Sequence, residues 1–184
     1  CDNPTNTLID SENNVGVHSS LQIDVNRYPV IAYHDNTNGT LKVAHCTSVD
    51  CGGPISVVVA DACVSAACGL YASMQLFGNN PHISHDDDTN FDLRYTRCLD
   101  PNCVSASSNI VDSNGMVGEH TSLALTGTGI PRITYYDMSS RDLKIAICGN
   151  VDCSSSTRRV LDSTGDVGQY TSLALVSSNH PIVS

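Results

Sequence analysis

Tryptophan is absent from this 184-residue sequence, and aromatic residues make up only 5%, most of them tyrosine. Sugar-binding surfaces usually stack their ligand on aromatic rings, so this scarcity narrows that option. Cationic residues are few as well: nine Lys and Arg stand against 19 Asp and Glu, a net charge of −10. Such a chain repels the phosphates of nucleic acid, and it repels an acidic membrane surface for the same reason. No apolar run is long enough to span a bilayer, so no membrane span is expected. No leader-type segment opens the sequence, so the chain is expected to be a mature form or a fragment. There is no Gly-x-Ser-x-Gly, no His-Glu-x-x-His and no phosphate-cradling glycine loop. No nucleophile has a base at a telling spacing. No catalytic residue, metal ligand or cofactor is therefore assigned, and the chain is expected not to be an enzyme. Helical periodicity is missing throughout.

What is present is a repeat. Residues 118–153 read GEHTSLALTGTGIPRITYYDMSSRDLKIAICGNVDC, and residues 16–51 read GVHSSLQIDVNRYPVIAYHDNTNGTLKVAHCTSVDC. Pro29, Pro81, Pro131 and Pro181 are spaced by 52, 50 and 50 residues, and Cys51, Cys103 and Cys153 by 52 and 50. A fixed period of this length signals stacked supersecondary units.

Each unit holds four short runs of period two. In 121–125, Leu123 and Leu125 oppose Ser122 and Ala124. In 131–136, Ile133 and Tyr135 oppose Arg132, Thr134 and Tyr136. In 143–148, Leu143, Ile145 and Ile147 oppose Lys144, Ala146 and Cys148; residues 158–161 form a weaker fourth run. Alternation broken by turn residues predicts antiparallel strands. The opening prolines fall where a strand does not need an N–H. The Asp35–Gly39 and Asp137–Arg141 segments predict hairpin loops. The expected fold is all-β: β-propeller-type repeats of four-stranded antiparallel blades, about fifty residues each. A single repeat domain covers 1–184, with blades at 18–62, 69–112 and 119–162. Residues 1–11 are expected to be the last strand of an incomplete blade, and 169–184 the first two strands of another.

Nine cysteines point to an oxidising compartment, and hence to an extracellular or cell-surface location. Cys46/Cys51, Cys98/Cys103 and Cys148/Cys153 each enclose four residues between the third and fourth runs, and Cys63/Cys68 repeats that spacing elsewhere. Four local disulfides are expected, each worth roughly 2 kcal/mol by loop entropy. Zinc is the rival reading, but one pair offers only two thiolates and equivalent pairs lie on different blades. A redox motif would need Cys-x-x-Cys. Cys1 remains, intermolecular or unpaired. Asp10, Asp112 and Asp162 each lie nine residues after Cys1, Cys103 and Cys153, so Cys1 is in register with the second cysteine of a pair.

Asp10, Asp61, Asp112 and Asp162 recur in every unit and are expected to fix a turn. His18, Tyr71, His120 and Tyr170 share one position just before the first strand; they are expected to be structural, with a small-ligand role as the alternative. His85-Asp86-Asp87-Asp88, with Asp92 nearby, is expected to be a solvated hairpin tip rather than a calcium site, because its spacing is not that of a calcium loop. His45 and His82 receive no role. Asn38-Gly39-Thr40 is a glycosylation sequon, making Asn38 a candidate acceptor.

The phrase Thr-Ser-Leu-Ala-Leu, Pro-x-Ile-x-Tyr-Tyr-Asp, Leu-Lys-Ile-Ala, carried by residues 121–146, resembles the repeats of secreted proteins of the sialidase-like β-propeller type. It is also similar to the blades of fucose-binding propeller lectins. True sialidases carry an Asp-box, Ser-x-Asp-x-Gly-x-x-Trp, which a chain without tryptophan cannot have. Their three substrate-binding arginines match no motif around Arg27, Arg94, Arg97, Arg132, Arg141, Arg158 or Arg159, and the lectins' sugar-stacking aromatics are unmatched too. The expected function is therefore structural: an extracellular assembly protein whose incomplete blades pair head-to-tail with other copies, a contact that makes fibres when it does not close. A glycan-binding lectin is the alternative and a glycoside hydrolase a distant third.

Overall fold

The computed structural model describes residues 6–63, 67–177 and 179–184. All regular structure in these residues is β, with no helix. Strands β1 (Val15–Ile23), β2 (Pro29–Asp35), β3 (Thr40–Cys46) and β4 (Ile55–Asp61) form sheet 1 in chain order. Sheet 2 is β5 (Cys68–Phe77), β6 (Asn80–Asp87), β7 (Asp92–Cys98) and β8 (Ala106–Asp112). Sheet 3 is β9 (Val117–Leu125), β10 (Pro131–Asp137), β11 (Asp142–Cys148) and β12 (Ser156–Asp162). Sheet 4 has two strands, β13 (Leu173–Leu175) and β14 (Pro181–Val183). Every pairing is antiparallel. No hydrogen-bonded ladder joins one sheet to another among the described residues. Cys1 lies outside the described residues, and residues 6–11 carry no strand.

The prolines behave as their chemistry requires. Pro29, Pro131 and Pro181 each begin a strand, and Pro81 is second in β6. The first strand of each four-stranded sheet is longer than its run of alternation suggests, because it contains a bulge. Register shifts interrupt β1 between Val15 and Ser20 and β5 between Cys68 and Ser73, and on β9 they fall opposite Thr134, Tyr136 and Asp137. His18, Tyr71 and His120 sit in these bulges with φ of 52°, 50° and 53°, while Tyr170, ahead of β13, has φ 56°. The first three are thus inside their strands rather than before them. An extra residue in the left-handed region re-aims its side chain out of the normal alternation.

The hydrophobic cores lie between neighbouring sheets. Val30, Ala32, Leu41, Val43 and Ala60 of sheet 1 pack with Met74, Ile83, Cys98 and Cys103 of sheet 2. Leu93, Tyr95 and Val111 of sheet 2 pack with Val117, Leu123, Ile133, Tyr135, Ala146, Cys148 and Cys153 around sheet 3. A middle strand such as β6 is therefore covered on both faces, and polar Ser84 and Thr134 are as buried as the isoleucines beside them.

Four disulfides, Cys46–Cys51, Cys63–Cys68, Cys98–Cys103 and Cys148–Cys153, have Cα–Cα distances of 5.0, 6.1, 4.7 and 4.9 Å. Three of them close the loop from third to fourth strand, while Cys63–Cys68 closes the link from sheet 1 to sheet 2. Serines tie the first strands together. Ser20 Oγ accepts from Met74 N–H, Ser73 Oγ from Leu123 N–H and Ser122 Oγ from Leu173 N–H, all at 3.0 Å.

Close approach between sheets demands glycine at one repeated position. Gly69, Gly118 and Gly168 have φ of 92°, 115° and 104°, and a Cβ there would lie 2.8, 3.0 and 2.8 Å from the Cα of Leu41, Leu93 and Leu143. Gly118→Ala therefore combines backbone strain with a clash against main chain, and is expected to cost more than about 2 kcal/mol. Gly78→Ala, with φ 57° and nothing within 4 Å, carries strain alone and is expected to cost about 1 kcal/mol. Urea midpoints of the two variants test this; equal shifts would show that the close approach is not what selects glycine.

Candidate functional site: the aspartate joints and the aromatic column

The repeated aspartates do two things at once. Each closes a local turn through Oδ1, accepting from the N–H two residues on: Glu12 for Asp10 (2.9 Å), Cys63 for Asp61 (3.0 Å), Asn114 for Asp112 (3.1 Å) and Thr164 for Asp162 (2.9 Å). The turn is what the sequence led us to expect. The second oxygen, which pattern alone does not reveal, reaches into the next sheet. Asp10 Oδ2 accepts from Tyr33 Oη at 2.7 Å and Lys42 Nζ at 2.6 Å. Asp112 Oδ2 accepts from Tyr135 Oη at 2.6 Å and Lys144 Nζ at 2.9 Å, and Lys144 also reaches Asp137 at 3.2 Å.

In sheet 2 the same joint is built from different residues. Asp61 Oδ2 accepts from Arg94 Nη2 and Nε at 2.9 and 3.1 Å, and His85 Nε2 stands 3.6 Å away. His85 is wholly buried; Gly69 N–H donates to its Nδ1, which leaves Nε2 to carry the hydrogen that Thr96 Oγ1 receives at 3.0 Å. Burial holds this imidazole down at about 4, so it stays neutral. Burial raises the carboxyls of Asp61 and Asp112, but their partners outweigh it. His85, the Cys63 N–H and Arg94 bring Asp61 below its ordinary range, and Tyr135, Lys144 and the Asn114 N–H do so for Asp112. Asp162 makes the turn and is exposed, with no cross-sheet partner among the described residues.

The 85–88 segment is not a solvated tip, which corrects the sequence reading. His85, Asp86 and Asp87 are buried and only Asp88 is exposed. Asp87 caps its hairpin through Asn90, whose N–H and Nδ2 donate to its two oxygens at 3.1 and 3.0 Å. The equivalent Asp35 holds Asn38 in the same way, with Nδ2, the candidate glycosylation atom, donating to Asp35 Oδ2 at 2.8 Å. Asp86 is 2% exposed, and its Oδ1 lies against Gly118. Burial, with Asp88, Glu119, Asp87 and Asp92 around it, raises its carboxyl to about 8. The carboxylates do not converge as metal ligands. Among the described residues, Asp61, Cys63 and Cys68 are the one trio with ligand atoms within 4.8 Å, and both sulfurs there belong to a disulfide.

The rings at the bulge position meet in a column. His18 stacks on Tyr71 with centroids 4.3 Å apart, Tyr71 meets His120 at 4.5 Å, and His120 meets Tyr170 at 4.2 Å. Together they line a cavity of about 440 Å³. Burial lowers both imidazoles, with His34 acting on His18 and His18 acting on His120. Burial and the charges of Glu119 and Asp86 raise the Tyr71 hydroxyl. The two histidines left without a role are structural contacts. His45 bridges Asp24 (3.2 Å) and Asn102 (2.8 Å), and His82 meets the Tyr95 hydroxyl.

No protein-family model matches the chain, and no curated protein matches its sequence.

Lys144→Met is expected to leave the buried Asp112 carboxylate with only the half-exposed Arg158, 3.6 Å away, as its cation, and to cost roughly 3 kcal/mol, with Asp112→Asn added on top restoring part of it. A urea melt of Lys144→Met within about 0.5 kcal/mol of wild type, the scatter of surface changes, would deny the joint its importance. Asp86 gives a pH signature. Its carboxyl rises from 3.8 to about 8 on folding, so its contribution is full below about pH 4 and lost as pH climbs through 8. Asp86→Asn is therefore expected to match wild type at pH 4 and to exceed it at pH 9, with a ceiling of about 6 kcal/mol. A thermal-melt difference that does not change with pH would contradict the burial of this acid.

Proposed function

We propose that this chain is a secreted, non-enzymatic β-propeller-type repeat protein, sialidase-like and lectin-like in blade design, that serves as an extracellular or cell-surface scaffold. Its four disulfides fit an oxidising compartment. Its partners are other copies of itself, added head-to-tail as blade on blade into a filament or surface layer. The observation that carries this reading is Asp162. It forms the turn of the other three joint aspartates on a strand, β12, whose Val160 and Leu161 are 51% and 44% exposed. A face with the joint's carboxylate acceptor and an apolar flank fits the donating Tyr–Lys side of a like sheet.

Light scattering and negative-stain imaging over a concentration series test this. Association into open chains, abolished by Asp162→Lys with the far-UV circular dichroism unchanged, is the expected result. Discrete monomers at all concentrations, or assembly indifferent to Asp162→Lys, would remove the proposal.

A glycan-binding reading is favoured by one further observation. Equivalent clefts of about 560 and 600 Å³ recur on sheets 1 and 2, the first lined by Asp10, Asp35 and Lys42 and the second by Asp61, Asp87 and Arg94. Thr40 Oγ1, buried in the first cleft, has no hydrogen-bond partner. A blank glycan array would eliminate it.

A further inference from the structure

We propose that the column of His18, Tyr71, His120 and Tyr170 binds a small organic ammonium group, at a site separate from the aspartate joints. The rings touch in sequence at 4.3, 4.5 and 4.2 Å and together border a cavity of about 440 Å³. Tyr170 is 81% exposed, so a solute reaches the column from its side.

The chemistry of the walls selects the ligand. Two of the lining hydroxyls are already committed: Thr121 Oγ1 donates to Tyr71 O at 2.8 Å, and Thr171 Oγ1 to Thr134 Oγ1 at 3.1 Å. The four rings give the cavity aromatic surface, whose negative face attracts a cation without fixing its orientation.

The charge around the cavity has one sign. Glu119 neighbours His120 in sequence, and with Asp88 it acts electrostatically on the Tyr71 hydroxyl. No Lys or Arg lines the cavity. Burial keeps His18 and His120 below their ordinary range, so the rings carry no competing positive charge at neutral pH. All four ring residues hold φ between 50° and 56°, a conformation that non-glycine residues adopt at a cost. Strain repeated at one position and converging on one cavity is the pattern of a site whose side chains must be aimed.

The test follows the His18 and His120 ring-proton signals of the whole chain by NMR, at constant ionic strength and pH 7.5. Tetramethylammonium and choline are compared with the uncharged isostere 3,3-dimethyl-1-butanol. Saturable shifts with both cations are expected, with binding about threefold to thirtyfold weaker for the alcohol. Glu119→Gln and Tyr170→Ala, both at positions outside the two cores, are each expected to weaken choline binding about threefold or more with the melting temperature unchanged. Shifts absent, equal for the alcohol, or indifferent to both variants would overturn the proposal.

Discussion

A buried carboxylate shared between two sheets is the constraint on which this structure turns. Asp112 closes its own turn with one oxygen and takes Tyr135 and Lys144 of the next sheet with the other. A charge that deep is tolerated only with a cation and donors in place, which fixes the distance and the orientation between sheets. Hydrophobic packing then fills the space so defined. Leu93, Tyr95 and Val111 meet Ile133 and Tyr135 only because sheet 3 is held at that spacing, and Gly118 allows the backbones to reach it.

The second joint shows how far the chemistry can drift while the geometry persists. Tyr gives way to His85 and Lys to Arg94, yet Asp61 still receives two donors from the guanidinium. An imidazole is shorter than a phenol, and the space is taken up by Thr96, which bonds both His85 and Asp61. The cost is an uncharged histidine in a wholly buried place, which makes the arginine the joint's only permanent cation.

Much of this architecture could be read in the chain beforehand. Period-two runs broken by Asp- and Gly-rich turns located the strands, and proline spacing located their starts. Four-residue cysteine spacings coincide with the disulfides, because so short a loop leaves the sulfurs few other partners. What resisted reading was everything set between units. The outward oxygen of Asp112, the stacking of Tyr71 on His18 and the burial of Asp86 depend on which residues of different units are brought together. The bulges were missed for a related reason: His18, Tyr71 and His120 are not turn formers, and only their φ values mark them. The recurrence of a ring at that one position was the available signal.

The four disulfides among the described residues are all local, each spanning five positions of chain. They stiffen corners but tether no sheet to a distant one. Under tension applied along the polypeptide, no disulfide among the described residues would keep neighbouring sheets from parting. Each would peel away as a unit of about fifty residues once its carboxylate joint and its half of the shared core gave way, a stepwise yielding typical of stacked arrays. Extension would fall short of full contour length only by the few residues locked behind each bridge. Mechanical strength in such a chain resides in salt bridges and packing, and the sulfur chemistry guards the shape of the individual layers.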